Sequence, residues 1–282
     1  MRTNTYYSVM MQVARRLGLQ PDENQLSFAQ KMAIAGNLTQ RAQEAVEFAF
    51  WPEWTPCEER QYRDTYAAGQ AYVIDDEVFY DDKYYVCILA GTGQTPDVNG
   101  SLYWEEQTEL DRYVAYEQTG ETKIGYVKAT YMKNPRTNKL SGRMSFQLSS
   151  NGVQISSLAG ATVWVEYMRL APKFSGQDYD ETKTYDADAV VYFDTTGDCY
   201  RSLASSNTGN TPTDTTYWEK QNILSIWVNW LVQAAYSDSL VADGDSTTKA
   251  DQLGQAYVFL QNAADLCGMG QEQDRPARFV NR

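Results

Sequence analysis

The chain has 282 residues, 43% of them hydrophobic and 22% charged, enough for two or three small domains around a buried core. Histidine is absent, which excludes a Ser-His-Asp triad, a Cys-His pair and any histidine-ligated metal. A net charge of −13 disfavours a tight grip on nucleic acid or on an anionic membrane.

In chain order, the opening MRTNTYYSVMMQVARRLG lacks the long apolar stretch and small-residue cleavage site of a secretory signal. Tyr6, Met10, Val13 and Leu17 fall on one helical face, with Gly18 as the expected stop. Ser27-Phe-Ala-Gln30 has the form of a capping box. After it Phe28, Met32, Ala35, Leu38, Ala42, Ala45 and Ala49 recur at steps of three and four, and Pro52 ends the helix. Residues 112–174 read as antiparallel strands. Met144, Phe146 and Leu148 alternate with polar residues, Asn151-Gly152 offers a two-residue turn, and ATVWVEYMRLAP is a further strand. Ile223 to Val241 is apolar nearly all round, as in a buried helix, and its most apolar run, Ile223 to Tyr236, is too short to span a membrane and contains Asn229 and Gln233. Gly244 breaks it. Ala250, Leu253, Tyr257, Leu260 and Ala264 then define a last helical face, closed near Gly268.

One segment occurs twice. TGQTPDVNGSLYWEEQ (92–107) returns as TGNTPTDTTYWEKQ (208–221). The match extends upstream, from about Tyr66 in the first copy and about Tyr185 in the second. EVFYDDKYYVCI (77–88) aligns with AVVYFDTTGDCYRSL (189–203), each a Val-x-Tyr strand, a turn, and a strand starting at Tyr85 or Tyr200. Units of roughly forty residues are near the lower limit for folding alone, so large aromatics, Trp104 and Trp218 first, are the expected anchors. The fold class is therefore α+β: a four-helix bundle built from both chain ends, with an inserted antiparallel β domain flanked by two small three-stranded β modules. The boundaries drawn are 1–63 and 222–270 for the bundle halves, 64–110 and 176–221 for the modules, 111–175 for the β domain and 271–282 for an extended tail. Cys57, Cys87, Cys199 and Cys267 are far apart with no CxxC, which argues against zinc or a disulfide framework and suits a reducing compartment.

The repeated order of Tyr, Val-x-Tyr, Thr-Gly-x-Thr-Pro and Tyr-Trp-Glu resembles the small three-stranded carbohydrate-binding modules of chitinases and cellulases. The first copy keeps Gly93, Pro96 and Trp104, the second Gly209, Pro212 and Trp218. Such modules stack exposed aromatic faces on sugar rings, which makes Tyr103, Trp104, Tyr217, Trp218 and Tyr84 candidate glycan contacts. In a unit this small, a closing tryptophan that serves as core is the competing role.

The ends carry a second resemblance. LTQRAQEAVEFAFWPEWTPCEER (38–60) is a helix running into Trp51-Pro52-Glu53. It is followed by Trp164, Glu166, Tyr167, Pro172 and Phe174 in VWVEYMRLAPKF, two further helices and the tail QEQDRPARFVNR. This order resembles the head–tail adaptor (connector) proteins of tailed bacteriophages. The resemblance implies a virion protein assembled in the host cytoplasm. It would form a ring, usually twelvefold, under the portal protein, with the next neck or tail protein below and double-stranded DNA passing through without sequence-specific binding. It also implies that the tail docks on the portal, through Arg275, Pro276, Arg278, Phe279, Val280 and Arg282. The alternative function is recognition of host-surface or chitin-like glycans by the two modules. Nothing in the sequence assigns a catalytic residue, cofactor or metal. Strands and helices are segregated, Gly91-Thr-Gly93 lacks the rest of a dinucleotide loop, and paired carboxylates have no recognisable cleft.

Overall fold

Thr5 sits in extended backbone, and its hydroxyl accepts the Ser8 N–H at 3.2 Å. Helix α1 (Tyr6–Arg16) starts from that cap. It ends at Leu17, and Gly18 follows at φ 71°. These coordinates are a computed structural model describing residues 2–19, 26–96, 100–108, 110–118, 121–138, 141–156, 160–240 and 246–269. The chain is mixed α+β, with four packed helices from both ends and several small, mostly antiparallel sheets. It divides into two compact units, Met1–Glu53 with Ala171–Arg282, and Trp54–Leu170.

In the first unit, helix α2 (Phe28–Phe48) opens with the capping box. Ser27 Oγ accepts the Gln30 N–H at 3.3 Å, and Gln30 Oε1 accepts the Ser27 N–H at 2.9 Å. Helix α3 (Val228–Leu240) packs against α1, α2 and helix α4 (Ser246–Met269). That central place is why Trp230, Leu231, Val232, Ala234 and Ala235 are all buried. Arg41 of α2 grips Asp238 of α3 with two parallel bonds of 2.7 and 2.6 Å, and Trp230 donates to the Arg41 carbonyl at 3.1 Å.

Three expectations for the helices need correction. Ile223–Leu224 is a strand paired with Thr3–Asn4, followed by the 3-10 turn Ser225–Trp227, so the helix starts at Val228. The partner strand lies more than two hundred residues upstream, and no local pattern shows it. In α4 the buried positions are Ala256, Leu260 and Ala263, while Ala250 is exposed and Tyr257 is 42% exposed. Among the helices α4 packs closely on α3 alone, so it buries a narrower stripe than its apolar content predicts. Phe28, expected on the buried face of α2, is 66% exposed, and Ala49 is a half-buried cap residue in extended backbone. The proposed break at Gly244 lies outside the described residues.

The second module belongs to this same unit. Val190–Phe193, Asp198–Ser202 and Trp218–Lys220 form an antiparallel sheet, to which Gln177–Asp178 adds a parallel edge. The expected three strands are thus four. Buried Asp198 accepts the Tyr6 N–H of α1 at 3.2 Å and pairs with Lys220 at 2.6 Å. A carboxylate at a helix N-terminus satisfies an otherwise unpaired N–H and the helix dipole together.

The second unit is built on the four-stranded sheet Arg143–Met144, Ile124–Tyr131, Thr162–Arg169 and Cys57–Gln61. Phe146–Leu148, Gly152–Ile155 and Tyr113–Ala115 make a second sheet. Their inward residues, among them Val114, Ile124, Val127, Val153, Val163, Val165 and Tyr167, share one core. The hairpin turn is shifted by one residue from expectation. Leu148 faces Val153 and Ser149 bonds to Gly152, so Ser150 and Asn151 are the central pair. Gly152 belongs to the strand, where a Cβ would lie 2.3 Å from the Val114 carbonyl. The first module completes the unit, with strands Glu77–Tyr80, Lys83–Cys87 and Trp104–Glu106.

Candidate functional site

The two modules are the same object built twice. Tyr66, Tyr72, Val78, Tyr80, Tyr85 and Trp104 of the first correspond in place to Tyr179, Tyr185, Val191, Phe193, Tyr200 and Trp218 of the second. Tyr66 stacks on Tyr72 at 5.4 Å, and Tyr179 on Tyr185 at 5.9 Å, both pairs with planes at 21°. Trp104 meets Tyr66 at 5.8 Å and 89°, while Trp218 meets Tyr179 at 6.0 Å and 85°. The indole of Trp104 donates to the Gln94 carbonyl at 2.6 Å, that of Trp218 to the Asn210 carbonyl at 2.8 Å. Each of those carbonyls follows a glycine in left-handed backbone, Gly93 at φ 74° and Gly209 at φ 71°, which is what the repeated Thr-Gly supplies.

This places the repeat one residue away from the alignment read off the sequence. Val78 matches Val191 and not Val190, and the second copy starts near Tyr179 and not Tyr185. The shift went unseen because the hairpins differ. The first turns through Asp81-Asp82, both at positive φ. The second has four residues, Asp194 to Gly197.

The geometry decides what the aromatics can do. Trp104 is 3% exposed and Trp218 1%, with edges of neighbouring rings filling the space a sugar would need. Tyr84 is buried too, its hydroxyl accepting the Tyr62 N–H at 3.0 Å and donating to the Ala161 carbonyl. These three candidates are therefore core residues, without a free face for stacking. Tyr103 and Tyr217 are half-buried against the same clusters.

The residues that carry the adaptor resemblance hold the fold. Trp51 is buried, donates to the Ala45 carbonyl at 2.6 Å, and stands edge-on to Trp227. Phe174 stacks on Tyr6 at 5.5 Å, and Glu166 accepts from Lys128 and Tyr131. Tyr167 is buried with Arg60, which contacts the Tyr167 hydroxyl at 2.6 Å, the half-buried Glu58 at 3.0 Å and the exposed Glu121 at 2.9 Å. Pro52 and Glu53 are exposed. Arg275, Pro276, Arg278, Phe279, Val280 and Arg282 lie outside the described residues.

A cleft in the second unit is lined by Glu59, Gln61, Arg63, Asp64, Gln118, Glu121 and Thr162 among others. Glu121 is held by Arg60, and Glu59 accepts from Thr162. Burial pushes the thiols of Cys57, Cys87, Cys199 and Cys267 up, Cys57 to about 11, so none of the four is an activated nucleophile. Among the described residues no group of three or more Cys, Asp and Glu is placed to hold a metal ion, and no helix is long and apolar enough to cross a membrane.

The sequence reading missed the buried arginine of the second module. Arg201 bonds Glu219 and lies 3.5 Å from Asp188. In the first module the corresponding residue is Val86, one place after Tyr85 as Arg201 is one place after Tyr200; the difference was in the sequence, and the burial of Arg201 against Glu219 was not. No protein-family model matches the chain, and no curated protein matches it.

Proposed function

We propose that the chain is a structural subunit of a tailed-phage neck, a head–tail adaptor that forms a ring under the portal, extends the DNA channel and joins capsid to tail. The observation that carries this reading is the bundle itself. Helices from both chain ends, α1 and α2 with α3 and α4, pack together while the β material is inserted between them, the order expected of that family. Three features support it. Tyr257, Val258, Phe259 and Leu266 leave apolar surface exposed on α4, which suits contact with a neighbouring subunit. The charge of −13 suits a wall that DNA slides past. The segment with Arg275, Arg278, Phe279 and Val280 supplies cationic and apolar contacts for a portal groove.

The test is a pull-down on the portal ring of the same virus, with the full chain and with a chain truncated after Gly270. Binding lost on truncation supports an adaptor docking through its last twelve residues. Binding that survives moves the contact to the bundle. No binding by the full chain rejects the adaptor.

A further inference from the structure

The duplication provides an internal control on surface residues. Whatever differs between two copies of one fold is not required by that fold. Around the end of its sheet the first module exposes Val73, Ile74, Ile88, Leu89 and Leu102, with Val73 and Leu102 each 61% exposed. Backbone bonds hold the three segments together: Asp75 N–H to the Cys87 carbonyl at 2.8 Å, and Ile88 N–H to the Tyr103 carbonyl at 2.8 Å. The second module makes the same bonds, from Asp188 to Ser202 at 2.9 Å and from Leu203 to Tyr217 at 2.9 Å. Its residues at these five places are Asp186, Ala187, Leu203, Ala204 and Thr216. Four of the five apolar side chains are thus shortened or made polar without loss of the fold.

The charges differ in a matching way. In the second module Arg201 lies between Asp188 and Glu219. The first module keeps both carboxylates, as Asp75 and Glu105, but has Val86 in place of the arginine. Both acids are exposed, and neither forms a salt bridge among the described residues. Val86 and Ile88 occupy alternate positions of the chain, on the side opposite the core residues Tyr85 and Cys87. The first module therefore presents an apolar face beside two carboxylates that lack the guanidinium their counterparts hold.

We propose that this face binds an arginine-bearing apolar segment, and that residues 275–282 of a second copy of this chain are that segment. RPARFVNR combines Arg275, Arg278 and Arg282 with Phe279 and Val280, so one arginine takes the part of Arg201 and the apolar pair covers Leu102 and Val73. Twelve residues, 271–282, have a reach of about 40 Å if extended. The proposal does not depend on the portal. For any one copy, a portal groove and this face are alternative destinations of the same segment.

The test uses the full chain with photoreactive benzoylphenylalanine at position 279, as an equal mixture of isotopically light and heavy protein. Irradiation is expected to link position 279 of one copy to residues 73–76, 86–89 or 102–105 of another. Val86→Arg, which supplies the arginine in place, and Leu102→Thr, which copies the second module, are each expected to lower that yield by about tenfold. Both variants carry the residue that the second module already accommodates, and near-UV circular dichroism checks their fold. Links only within one copy, links elsewhere, no link, or a yield unchanged in both folded variants would overturn the proposal.

Discussion

The rings of Trp51 and Trp227 meet edge to face, with centroids 5.6 Å apart and planes at 81°. Trp51 stands just after α2 and Trp227 just before α3, so this contact joins the two halves of the bundle at the point where the β material leaves and returns. Trp51→Ala is expected to cost about 3–5 kcal/mol, from lost burial and the cavity left behind. Trp51→Phe keeps the ring pair but loses the indole bond to Ala45, about 1 kcal/mol. Urea unfolding of the two variants checks the order. Equal losses would show that the ring contact contributes nothing beyond the hydrogen bond.

Arg41 and Asp238 form the second tie between the halves. Asp238, with Glu44 behind it, holds the Arg41 guanidinium further above its already high pKa. Asp238→Ala leaves a buried cation with only Glu44, at a cost of about 3–5 kcal/mol. The double variant Arg41→Met with Asp238→Leu should be less destabilised than either charge-deleting single change. The sign with pH follows from the raised folded pKa. The stabilisation is complete below the ordinary arginine value and is lost only above it. The coupling energy from a double-mutant cycle should therefore be the same at pH 7 and pH 10.

The bundle was legible because its signals are local. The Ser27 cap, the stop at Gly18 and the apolar steps of α2 are set within a few residues of sequence, whereas the Thr5 cap was not read from it. The strand at Ile223–Leu224 was not legible, because its partner is Thr3–Asn4 and only the folded chain brings them together. The modules were recognisable as a repeat, but their register depended on turn length. That one-residue error touched only the first strand of each module; the pairing of Tyr85 with Tyr200 already set Val86 against Arg201, and the contacts of Arg201 with Asp188 and Glu219 came only with the fold. The fate of Trp104 and Trp218 was open in the sequence, since a buried anchor and a sugar platform require the same residue. The neighbouring rings decide it, Tyr66 and Tyr72 around Trp104, and Tyr179 and Tyr185 around Trp218.

Two tyrosines in the second unit should respond in opposite ways to loss of the hydroxyl. The Tyr62 hydroxyl is buried without a hydrogen-bond partner among the described residues, whereas that of Tyr84 makes two bonds. Tyr62→Phe is expected to be neutral or stabilising, and Tyr84→Phe to cost about 1–2 kcal/mol. Burial raises both phenols, Tyr84 to about 12, from an ordinary value of 10. A raised folded pKa means the stabilisation is whole below pH 10 and is lost as pH rises through the folded value. Buried thiols add losses of the same sign from about pH 9. Stability should be level from pH 7 to 9 and fall towards pH 12, with a shallower fall in Tyr84→Phe. Denaturant titrations at a series of pH values measure this, and a fall equally steep in Tyr84→Phe would count against it.

The second module is expected to be structural where the first is a contact surface. Asp198 is buried, receives the Tyr6 N–H, and pairs with Lys220, while Gly197 accepts the Tyr7 N–H at 2.8 Å. The module thus supplies the start of α1 with acceptors that the chain around Thr5 does not. Asp198→Ala removes an N-terminal acceptor and leaves Lys220 unpaired, so a loss of about 2–3 kcal/mol is expected. Asp198→Asn retains an acceptor for the Tyr6 N–H and should recover part of it. Hydrogen exchange locates the effect. The amides at the start of α1 should lose protection in Asp198→Ala while those of Ile124–Tyr131 keep theirs. The place that corresponds to Asp198 in the first module is Lys83, which is half exposed and, among the described residues, paired with Glu106 alone. Lys83→Ala should then be nearly neutral. An equal loss from both substitutions would mean that the two modules bear the same load in the fold, and the division of labour between them would have to be abandoned.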